Sequence, residues 1–599
     1  MSKPQIRSSQ ILTGYGPGSM VDLPDDSVIV AGLDTWRYSR KHPLPIVEEP
    51  RLVRKLEQIP TIGAGIVLRK PPPAIEEDGF TPDVGAYRFP EWVVSQRTQR
   101  SPQGFVYRRL VHRRDLTKGK LKEEDGKSYS VVPIRFVRAC PRGHVGDIDW
   151  NAFIHGHDSN CMGRELFVED RGTTGDLDSV WIRCACGQAR AMSQAARIAL
   201  GALGNCEGRR PWLGPGNREP CGLPNRLLIR NASNAYFSQT MSVISIPSTG
   251  AEIDEVVQGL WQSYFATVQS DPELDFVMKM GPVKQQLSAF SADEIRESVT
   301  RIRDSSDDLR PVKEVEFEAF SKSKIEQSND RPGGDFYARE LPRAKWDSPW
   351  MKHVDRIVLV HRLREVVAQV GFTRFESVGT DVDGELEVGV TAAPLSMEIN
   401  WLPAVENRGE GVFLQFNADA INDWLKLDAV KAREAELQQG FKFWLDEHEK
   451  SERSFFGIPY YVLHSFSHML LTAISMECGY PPSSLKERIY SRISDGQYGI
   501  LIYTGSPDAE GTLGGLVEAG RRIATHFRNA LEFGRLCSND PVCAFHRPAE
   551  HDHQPLHGSA CHGCLLIAET SCEQRNDFLD RSLVVPTVEM MGAEFFRDE

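Results

Sequence analysis

The positions of the cysteines constrain the fold of this chain more than any other feature of its sequence. All 12 cysteines except Cys478 fall in two stretches, residues 140–221 and residues 537–572. Thiols that only filled a core would be spread along the 599 residues, so the clustering indicates groups of metal ligands. A site closed by four protein ligands leaves a tetrahedral zinc ion no open position, and such a site is structural.

The C-terminal group contains a CxxC pair and three further cysteines. Cys561 and Cys564 have the spacing at which two thiolates reach one zinc ion at Zn–S distances of about 2.3 Å. Five cysteines compete for four positions, and we predict Cys537, Cys561, Cys564 and Cys572 as ligands, with Cys543 as the alternative to Cys537. A redox-active pair is the rival interpretation of CxxC, but the sequence around it lacks the strand–CxxC–helix pattern typical of such pairs.

The middle group is looser, and its motifs CPRGH and WIRCACGQ each offer two potential ligands. The predicted ligands of one zinc ion here are Cys161, Cys184, Cys186 and Cys206. Cys140 and His144 are the competing pair, Cys221 is unassigned, and buried free thiols are the alternative interpretation. The predicted cofactor is therefore structural Zn²⁺, at one or two sites.

The composition excludes several classes of protein. With 40% hydrophobic and 26% charged residues and a net charge of −13, the chain has the composition of a globular protein. The N-terminal MSKPQIRSSQ lacks the apolar core of a signal peptide, and no apolar run reaches the roughly 18 residues of a membrane helix. We therefore expect a cytoplasmic protein with no membrane segment and with reduced thiols.

The length predicts several domains, at roughly 150 residues each. The predicted fold class is α+β, a mixed multidomain protein with a zinc-knuckle module in the middle and an α/β zinc-binding domain at the C-terminus. The predicted divisions are a β-rich N-terminal domain with a basic segment (1–135), the zinc-knuckle module (136–230), a helical arm (231–340), a mixed α/β linker domain (341–450) and the zinc-binding domain (451–599).

Residues 97–127 carry a net positive charge, whereas the whole chain is negative, because basic residues outnumber acidic ones there. Phe105 and Tyr107 lie among these basic residues. This pattern suits contact with a phosphate backbone. The predicted nucleic-acid-binding residues are Arg100, Arg108, Arg109, Arg113, Arg114, Lys118 and Lys120. A solvated pair of strands with its loop is an equally good interpretation.

The C-terminal region contains two further motifs. His464 and His468 share one face of a predicted helix that is closed by Gly479, but the HExxH pattern is absent, so hydrogen-bonded core histidines are favoured over a metal site. A glycine-rich turn follows the predicted buried strand GILIYT, without the GxxxxGK[ST] pattern of a P-loop. Acidic residues near this turn leave a metal-dependent nuclease or phosphoesterase as an alternative function: Asp508, Glu510 and Glu518. No GxSxG motif occurs, and no catalytic residue is predicted.

The order of the C-terminal motifs resembles a known family. HSFSHML, SLKERIY, ILIYTGSPDAEGTLGGL, CSNDPVC and ACHGCLLIAETSCEQRNDFLDR are similar to the MrfA-type zinc-binding domain, which ends some DNA-repair helicases. IRSSQILTGYGPGSMVDL, CPRGH, CACG and WLPAVENRGEGVF resemble the stand-alone form of this domain, the DrmB subunits of bacterial DISARM antiphage defence systems. The resemblance is strongest over residues 455–599 and weakest over 250–340.

The resemblance implies a function and a partner. A family member is a non-catalytic zinc-binding subunit in a heterodimer with a DrmA-like superfamily-2 helicase, which carries the ATPase. The pair binds phage DNA with single-stranded ends or junctions in antiviral defence. The family's cysteine ligands correspond to the group at 537–572, and the family supplies no catalytic residue. An assembly scaffold without DNA contact is the remaining alternative.

Overall fold

The structure, a computed structural model, shows mixed helices and several sheets, so the predicted α+β fold class is confirmed. The residues that it describes are 6–24, 26–38, 43–72, 83–123, 125–156, 161, 165–172, 176–246, 251–268, 270–288, 290–304, 310–327, 334–377, 379–386, 392–448, 453–504, 515–548 and 554–597.

The N-terminal residues form short elements around a small antiparallel sheet. These elements are α1 (Ser8–Thr13), β1 (Met20–Asp22), β2 (Ser27–Val30), α2 (Pro50–Glu57), β3 (Val67–Arg69) and β4 (Ala86–Arg88). The sheet has the order β1-β2-β4, whereas β3 joins a larger sheet formed mainly by later strands.

A second antiparallel sheet carries the predicted basic segment. Its strands are β5 (Trp92–Ser95), β6 (Gln99–Arg100), β7 (Val106–His112), β10 (Val131–Pro133), β13 (Leu166–Asp170), β14 (Val180–Cys184) and β15 (Ala189–Ala191). Their order is β10-β5-β7-β13-β14-β15, and β6 pairs with β7. The hairpin β8 (Leu121–Lys122) and β9 (Ser128–Tyr129) lies between β7 and β10 in sequence. Leu110, Leu166 and Ile182 lie on the same face of neighbouring strands and are buried in one core with Phe153. This face of the sheet is therefore covered.

A third, three-stranded sheet has the order β12-β11-β16. Its elements and the helices near it are β11 (Phe136–Ala139), β12 (Val145–Gly146), α3 (Trp150–His155), α4 (Ser193–Ala196) and β16 (Arg226–Ile229). The turn between β11 and β12 needs a left-handed residue, which Gly143 supplies at φ +83°. This turn contains the CPRGH motif.

The described residues between 251 and 321 form five helices, as the polar helical periodicity of this region predicts. The helices are α5 (Ala251–Leu260), α6 (Asp271–Met278), α7 (Gly281–Gln286), α8 (Ala292–Asp304) and α9 (Val312–Ser321). A π-helical turn, Trp261–Phe265, continues α5.

The largest sheet gathers strands from distant parts of the chain. They are β17 (Phe237–Ile244), β18 (Tyr337–Glu340), β19 (Val354–Thr373), β20 (Trp401–Phe416), β21 (Leu485–Arg492) and β22 (Gln497–Thr504). The order is β17-β19-β20-β22-β21, with β18 added to β19 and β3 parallel to β20. The sheet therefore crosses the predicted divisions at 340/341 and 450/451, and the domain boundaries stay predictions.

Helices from the described residues after β20 complete the fold. They are α10 (Ala418–Trp424), α11 (Asp428–Glu447), α12 (Ile458–Cys478), α13 (Gly515–Arg521) and α14 (Ile523–Gly534). The spacing of apolar residues over about 419–449 predicts a single long helix, whereas the structure breaks it into α10 and α11. Gly479 ends α12 in the left-handed conformation, at φ +71°. Nearly every side chain of α12 before this end is buried, which is typical of a core helix and not of an amphipathic one. Among the described residues, no helix is long and apolar enough to cross a membrane.

Candidate metal centres

Within the part of the chain that the structure describes, cysteine, histidine and glutamate side chains come together in four groups. In each group the ligand atoms lie within 4.8 Å of one another. We name them the C-terminal cluster (Cys537, Cys543, Cys561, Cys564), the knuckle cluster (Cys140, His144, Cys206, Cys221), the sheet-end cluster (His155, Cys161, Cys184, Cys186) and the buried cluster (His464, His468, Glu487, Cys572).

The C-terminal cluster has the dimensions of a tetrahedral zinc site. The Sγ atoms of Cys537 and Cys561 are 3.4 Å apart, and Cys564 Sγ is 3.7 Å from those of both Cys543 and Cys561. Four Zn–S bonds of about 2.3 Å place sulfur atoms about 3.8 Å apart. The hydrogen bond from Cys543 lowers the pKa of the Cys564 thiol to about 6, which favours the thiolate that zinc requires.

Backbone amides and a buried ion pair hold the C-terminal cluster in place. The N–H groups of Asn539 and Gly563 donate to Cys537 Sγ and Cys561 Sγ, over 3.4 and 3.3 Å. Arg581 donates to both carboxylate oxygens of Asp540, over 2.8 and 2.9 Å, and so fixes the loop that carries Cys543. These contacts fix the orientation of the sulfur atoms.

The predicted ligand set of this site requires one correction. Cys537 and Cys543, which the sequence offers as alternatives, are both in the cluster, whereas Cys572 lies in the buried cluster beside His464. The reason is geometric: residues 565–572 lead the chain away from the CxxC turn to α12. The run CSNDPVC was the available signal, because its cysteines flank one tight turn.

The knuckle cluster forms around the turn between β11 and β12. Cys140 Sγ is 3.3 Å from His144 Nδ1 and 3.9 Å from Cys221 Sγ, and Cys206 Sγ is 3.6 Å from His144 Nδ1. His144 Nε2 lies 2.8 Å from Glu219 Oε1, so a proton on Nε2 leaves the lone pair of Nδ1 directed at the cysteines. Hydrogen bonding, first from Cys140, lowers the pKa of the Cys206 thiol to about 4.

The sheet-end cluster lies where β14 turns into β15. Gly187 makes this turn at φ +96°, between Cys184 and Gln188. Cys161 Sγ is 4.0 Å from Cys184 Sγ, and Cys186 Sγ is 3.9 Å from Nε2 of His155.

Of the four ligands predicted for one middle zinc, the structure keeps three together and separates the fourth. Cys206 lies in the knuckle cluster with Cys140 and His144, and His155 takes its place in the sheet-end cluster. Sequence reasoning did not assign His155 or Cys221, because both reach their partners only through the folding of the two sheets.

The predicted nucleic-acid-binding residues divide into two kinds. Arg109 forms ion pairs with Glu123 at 3.3 Å and Glu165 at 3.1 Å, and Arg113 pairs with Asp26 at 2.5 Å. Both guanidinium groups therefore help to hold the sheet together. Arg108 is half-buried on β7, and the exposed members are Arg100, Arg114, Lys118 and Lys120.

The open face of the second sheet alternates aromatic and arginine side chains, which the sequence analysis did not foresee. Tyr107, Phe167 and Trp181 are half-buried on adjacent strands β7, β13 and β14. The guanidinium carbon of Arg183 lies 4.9 and 4.6 Å from the ring centres of Tyr107 and Phe167, and that of Arg171 lies 4.0 Å from Trp181. We call these five residues the aromatic face. Such a layer of flat groups is typical of surfaces on which unpaired bases stack.

The acidic residues of the nuclease alternative are not brought together by any described contact. Asp508 and Glu510 lie outside the described residues. Glu518, on α13, is exposed and accepts a hydrogen bond from Arg521 over 3.1 Å.

Comparison with known proteins adds two family matches and one curated relative. A domain of unknown function (DUF8724) matches residues 7–237, and the MrfA Zn-binding domain matches residues 466–565. The chain is similar to the DISARM protein DrmB of Bacillus paralicheniformis, with 33% identity over 540 residues, covering 86% of this chain and 91% of that protein. The matched zinc-binding domain contains the whole C-terminal cluster, so the predicted structural zinc is confirmed there.

Proposed function

Since this chain belongs to the DrmB family of DISARM proteins, we propose that it is a non-catalytic, zinc-stabilised subunit that binds foreign DNA together with a DrmA-like superfamily-2 helicase. Family membership supports a role in DISARM defence. In this proposal the protein works in the cytoplasm as a heterodimer, and the ATPase belongs to the partner. The preferred DNA has single-stranded ends or junctions.

The aromatic face is the observation that supports DNA contact. Its rings and guanidinium groups offer stacking surfaces for bases without selecting a sequence. Exposed basic residues of the same region, Lys118 and Lys120, supply charge for phosphates. Glu169 is buried between Arg171 and Arg183, at 3.1 and 3.0 Å, and keeps both guanidinium groups over the rings.

Zinc has a structural role in this proposal. The four thiolates of the C-terminal cluster leave no open position for chemistry. We extend the same role to the knuckle and sheet-end clusters, where a metal would fix the β11–β12 turn of the third sheet and the β14–β15 turn of the aromatic-face sheet. Short turns such as these bury little apolar surface of their own, so bound metal contributes directly to their folding.

A titration of DNA followed by fluorescence anisotropy tests the joint function. The probe is a duplex with a single-stranded overhang, and the samples are this chain, its helicase partner and their mixture, without ATP. We expect much tighter binding by the mixture, an affinity that falls steeply with salt, and intact DNA at the end. No gain on mixing contradicts the proposal. Shortened DNA with this chain alone and Mg²⁺, abolished by Asp508→Ala, supports the nuclease instead.

Trp181→Ala tests the aromatic face. Loss of one stacked base costs about 1–3 kcal/mol, so we expect the Kd of the mixture for overhang DNA to rise about 5- to 150-fold. Blunt duplex should bind almost as before. The matched control is Trp350→Ala, because Trp350 is 40% exposed, lies in a turn beside α14 and is far in sequence from this sheet. Equal losses for both variants, or none for either, favour an assembly scaffold without DNA contact.

Lys118→Gln combined with Lys120→Gln tests the phosphate contacts. Each lost contact reduces the slope of log K against log salt by about 0.7–0.9. We expect a shallower slope with little change in the preference for overhang over blunt duplex. An unchanged slope would remove these lysines from the interface.

A further inference from the structure

The buried cluster joins three separate parts of the C-terminal half. His464 and His468 lie one turn apart on the same face of α12, Glu487 is on the neighbouring strand β21, and Cys572 is in the loop beyond the CxxC turn. Their side chains are 0–7% exposed. His464 Nε2 is 2.8 Å from Glu487 Oε1 and 3.1 Å from Cys572 Sγ, and His468 Nε2 is 3.1 Å from the same carboxylate oxygen.

The outer nitrogen of each histidine is already used. His468 Nδ1 lies 2.8 Å from the carbonyl oxygen of Leu565, and His464 Nδ1 lies 3.3 Å from that of Phe578. A carbonyl oxygen only accepts hydrogen bonds, so both Nδ1 atoms carry the proton. In a neutral imidazole the Nε2 atom then has a lone pair and no hydrogen. Two Nε2 lone pairs therefore meet one carboxylate oxygen.

Two Nε2 lone pairs and a carboxylate oxygen repel one another at these distances unless a positive charge lies between them. A proton satisfies only one pair of these atoms at a time, whereas one metal ion binds both Nε2 atoms, the carboxylate oxygen and the sulfur of Cys572 together. One divalent ion balances the carboxylate and the thiolate of Cys572, and both imidazoles stay neutral. The charge within the cluster then sums to zero.

The surroundings of the cluster match those of metal ligands. Ser467 Oγ donates to Glu487 Oε2, which leaves Oε1 free to face the histidines. The N–H of Asn576 donates to Cys572 Sγ over 3.1 Å, a contact that a metal-bound thiolate also accepts. Each of the four ligands thus has a second contact that fixes its orientation, which is the usual arrangement around bound metals.

We propose that His464, His468, Glu487 and Cys572 bind one divalent transition-metal ion, separate from the ion of the C-terminal cluster. Two imidazoles, a carboxylate and a thiolate form a borderline-soft ligand set that suits Zn²⁺ and excludes Mg²⁺ and Ca²⁺. Tetrahedral bonds of about 2.0–2.3 Å place ligand atoms about 3.3–3.5 Å apart, so the contacts of 2.8 and 3.1 Å lengthen by up to about 0.5 Å around a bound ion. The ion connects α12, β21 and the loop at Cys572. The hydrogen bonds from the histidines to carbonyl groups orient the two imidazole rings toward it.

An access route to this site is visible. Glu487 and Cys572 line a cleft of about 590 Å³, whose wall also includes Lys486, Thr570 and Arg575. An ion can therefore enter after the core of α12 has packed. Four protein ligands complete the tetrahedron, so the site is structural.

Metal analysis by mass spectrometry on the full chain tests the inference. We expect Glu487→Gln and Cys572→Ala each to lose one equivalent of zinc relative to the unchanged chain. Cys543→Ser should lose one from the C-terminal cluster, and Cys543→Ser with Cys572→Ala should lose two. Cys478→Ser, which removes a thiol outside all four clusters, is the control and should lose none. A double variant that loses only one equivalent contradicts the inference.

A measurement on the unchanged chain covers the case in which these variants do not fold. A crystal measured at the zinc absorption edge should show an anomalous peak enclosed by His464, His468, Glu487 and Cys572. A map with a peak at the C-terminal cluster and none here overturns the inference. Neither result depends on DNA affinity, so failure here is distinct from failure of the proposed DNA binding.

Discussion

Cys564→Ser is expected to remove one zinc equivalent and to lower the free energy of unfolding of the C-terminal half by several kcal/mol. Cys564 is one of the four ligands of the C-terminal cluster, and its Sγ lies 3.7 Å from the Sγ atoms of both Cys543 and Cys561. Its loss leaves three thiolates that repel one another and a loop without its cross-link. For a domain of 150–250 residues, each kcal/mol lowers the melting temperature by about 2–4 °C. Calorimetry together with zinc analysis measures both effects.

Cys478→Ser is the matched control for this substitution. Cys478 is half-buried at the end of α12 and belongs to none of the four clusters. It should keep the full zinc content and change the melting temperature only slightly. A Cys564→Ser chain with normal zinc content and normal melting temperature would show that the cluster is an ordinary group of thiols.

Asp580→Asn has the second largest expected effect, because it breaks a fully buried ion pair. Asp580 Oδ2 accepts from Arg433 Nε over 2.6 Å, and both side chains are 0% exposed. The other carboxylate oxygen accepts from the N–H groups of Ser559 and Ser582 at 3.0 Å. The substitution removes the closer-buried of two carboxylate partners and leaves the Arg433 charge with Glu436, 2.6 Å from Nη1. The expected cost therefore lies at or below the low end of the about 3–5 kcal/mol of a fully unpaired buried charge. Urea denaturation of the full chain measures the loss.

The exposed pair Lys426–Asp423 provides the control. Its N–O distance is also 2.6 Å, but its side chains are 72% and 75% exposed. Asp423→Asn should therefore cost less than about 1 kcal/mol. Equal costs for the two substitutions would mean that burial does not govern the contribution of the pair.

The same aspartate predicts how stability responds to acid. Burial alone would raise the pKa of Asp580, but Arg433 and the surrounding hydrogen bonds outweigh it, and the pKa is lowered. A carboxyl group with a lowered pKa stabilises the folded chain above its unfolded pKa of about 3.9, and this stability is lost as the pH falls through the folded value. We expect the acid sensitivity between pH 5 and pH 2 to be smaller in Asp580→Asn than in the unchanged chain.

Local patterns allowed several elements to be predicted, because neighbouring residues determine them. The apolar run before Gly479 and the strand GILIYT appear as α12 and β22, and the CxxC spacing brings Cys561 and Cys564 together. Each rests on backbone propensity or on a short covalent distance, which a sequence displays directly.

Contacts between distant residues explain what the sequence did not reveal. Cys572 follows the CxxC pair closely in sequence, yet it pairs with His464 across 108 positions. Arg113 is part of a basic run, yet it forms an ion pair with Asp26. In both cases the local sequence predicted contacts with nearby residues, whereas the packing of separate elements brought the side chain to a distant partner. The aromatic face has the same origin, because its rings come from three strands.

The strand order of the largest sheet affects how this protein folds during its synthesis, because β20 precedes its partner β22 in the chain. During synthesis β20 leaves the ribosome while its partner β22, which begins at Gln497, has not yet been translated. At about 5–20 residues per second, several seconds pass before that partner exists. Through this interval the nascent chain carries an unpaired edge rich in apolar side chains, which is a template for association with other chains. We therefore expect chaperones that bind the growing polypeptide to raise the yield in a cell, even though β22 covers this edge in the finished fold.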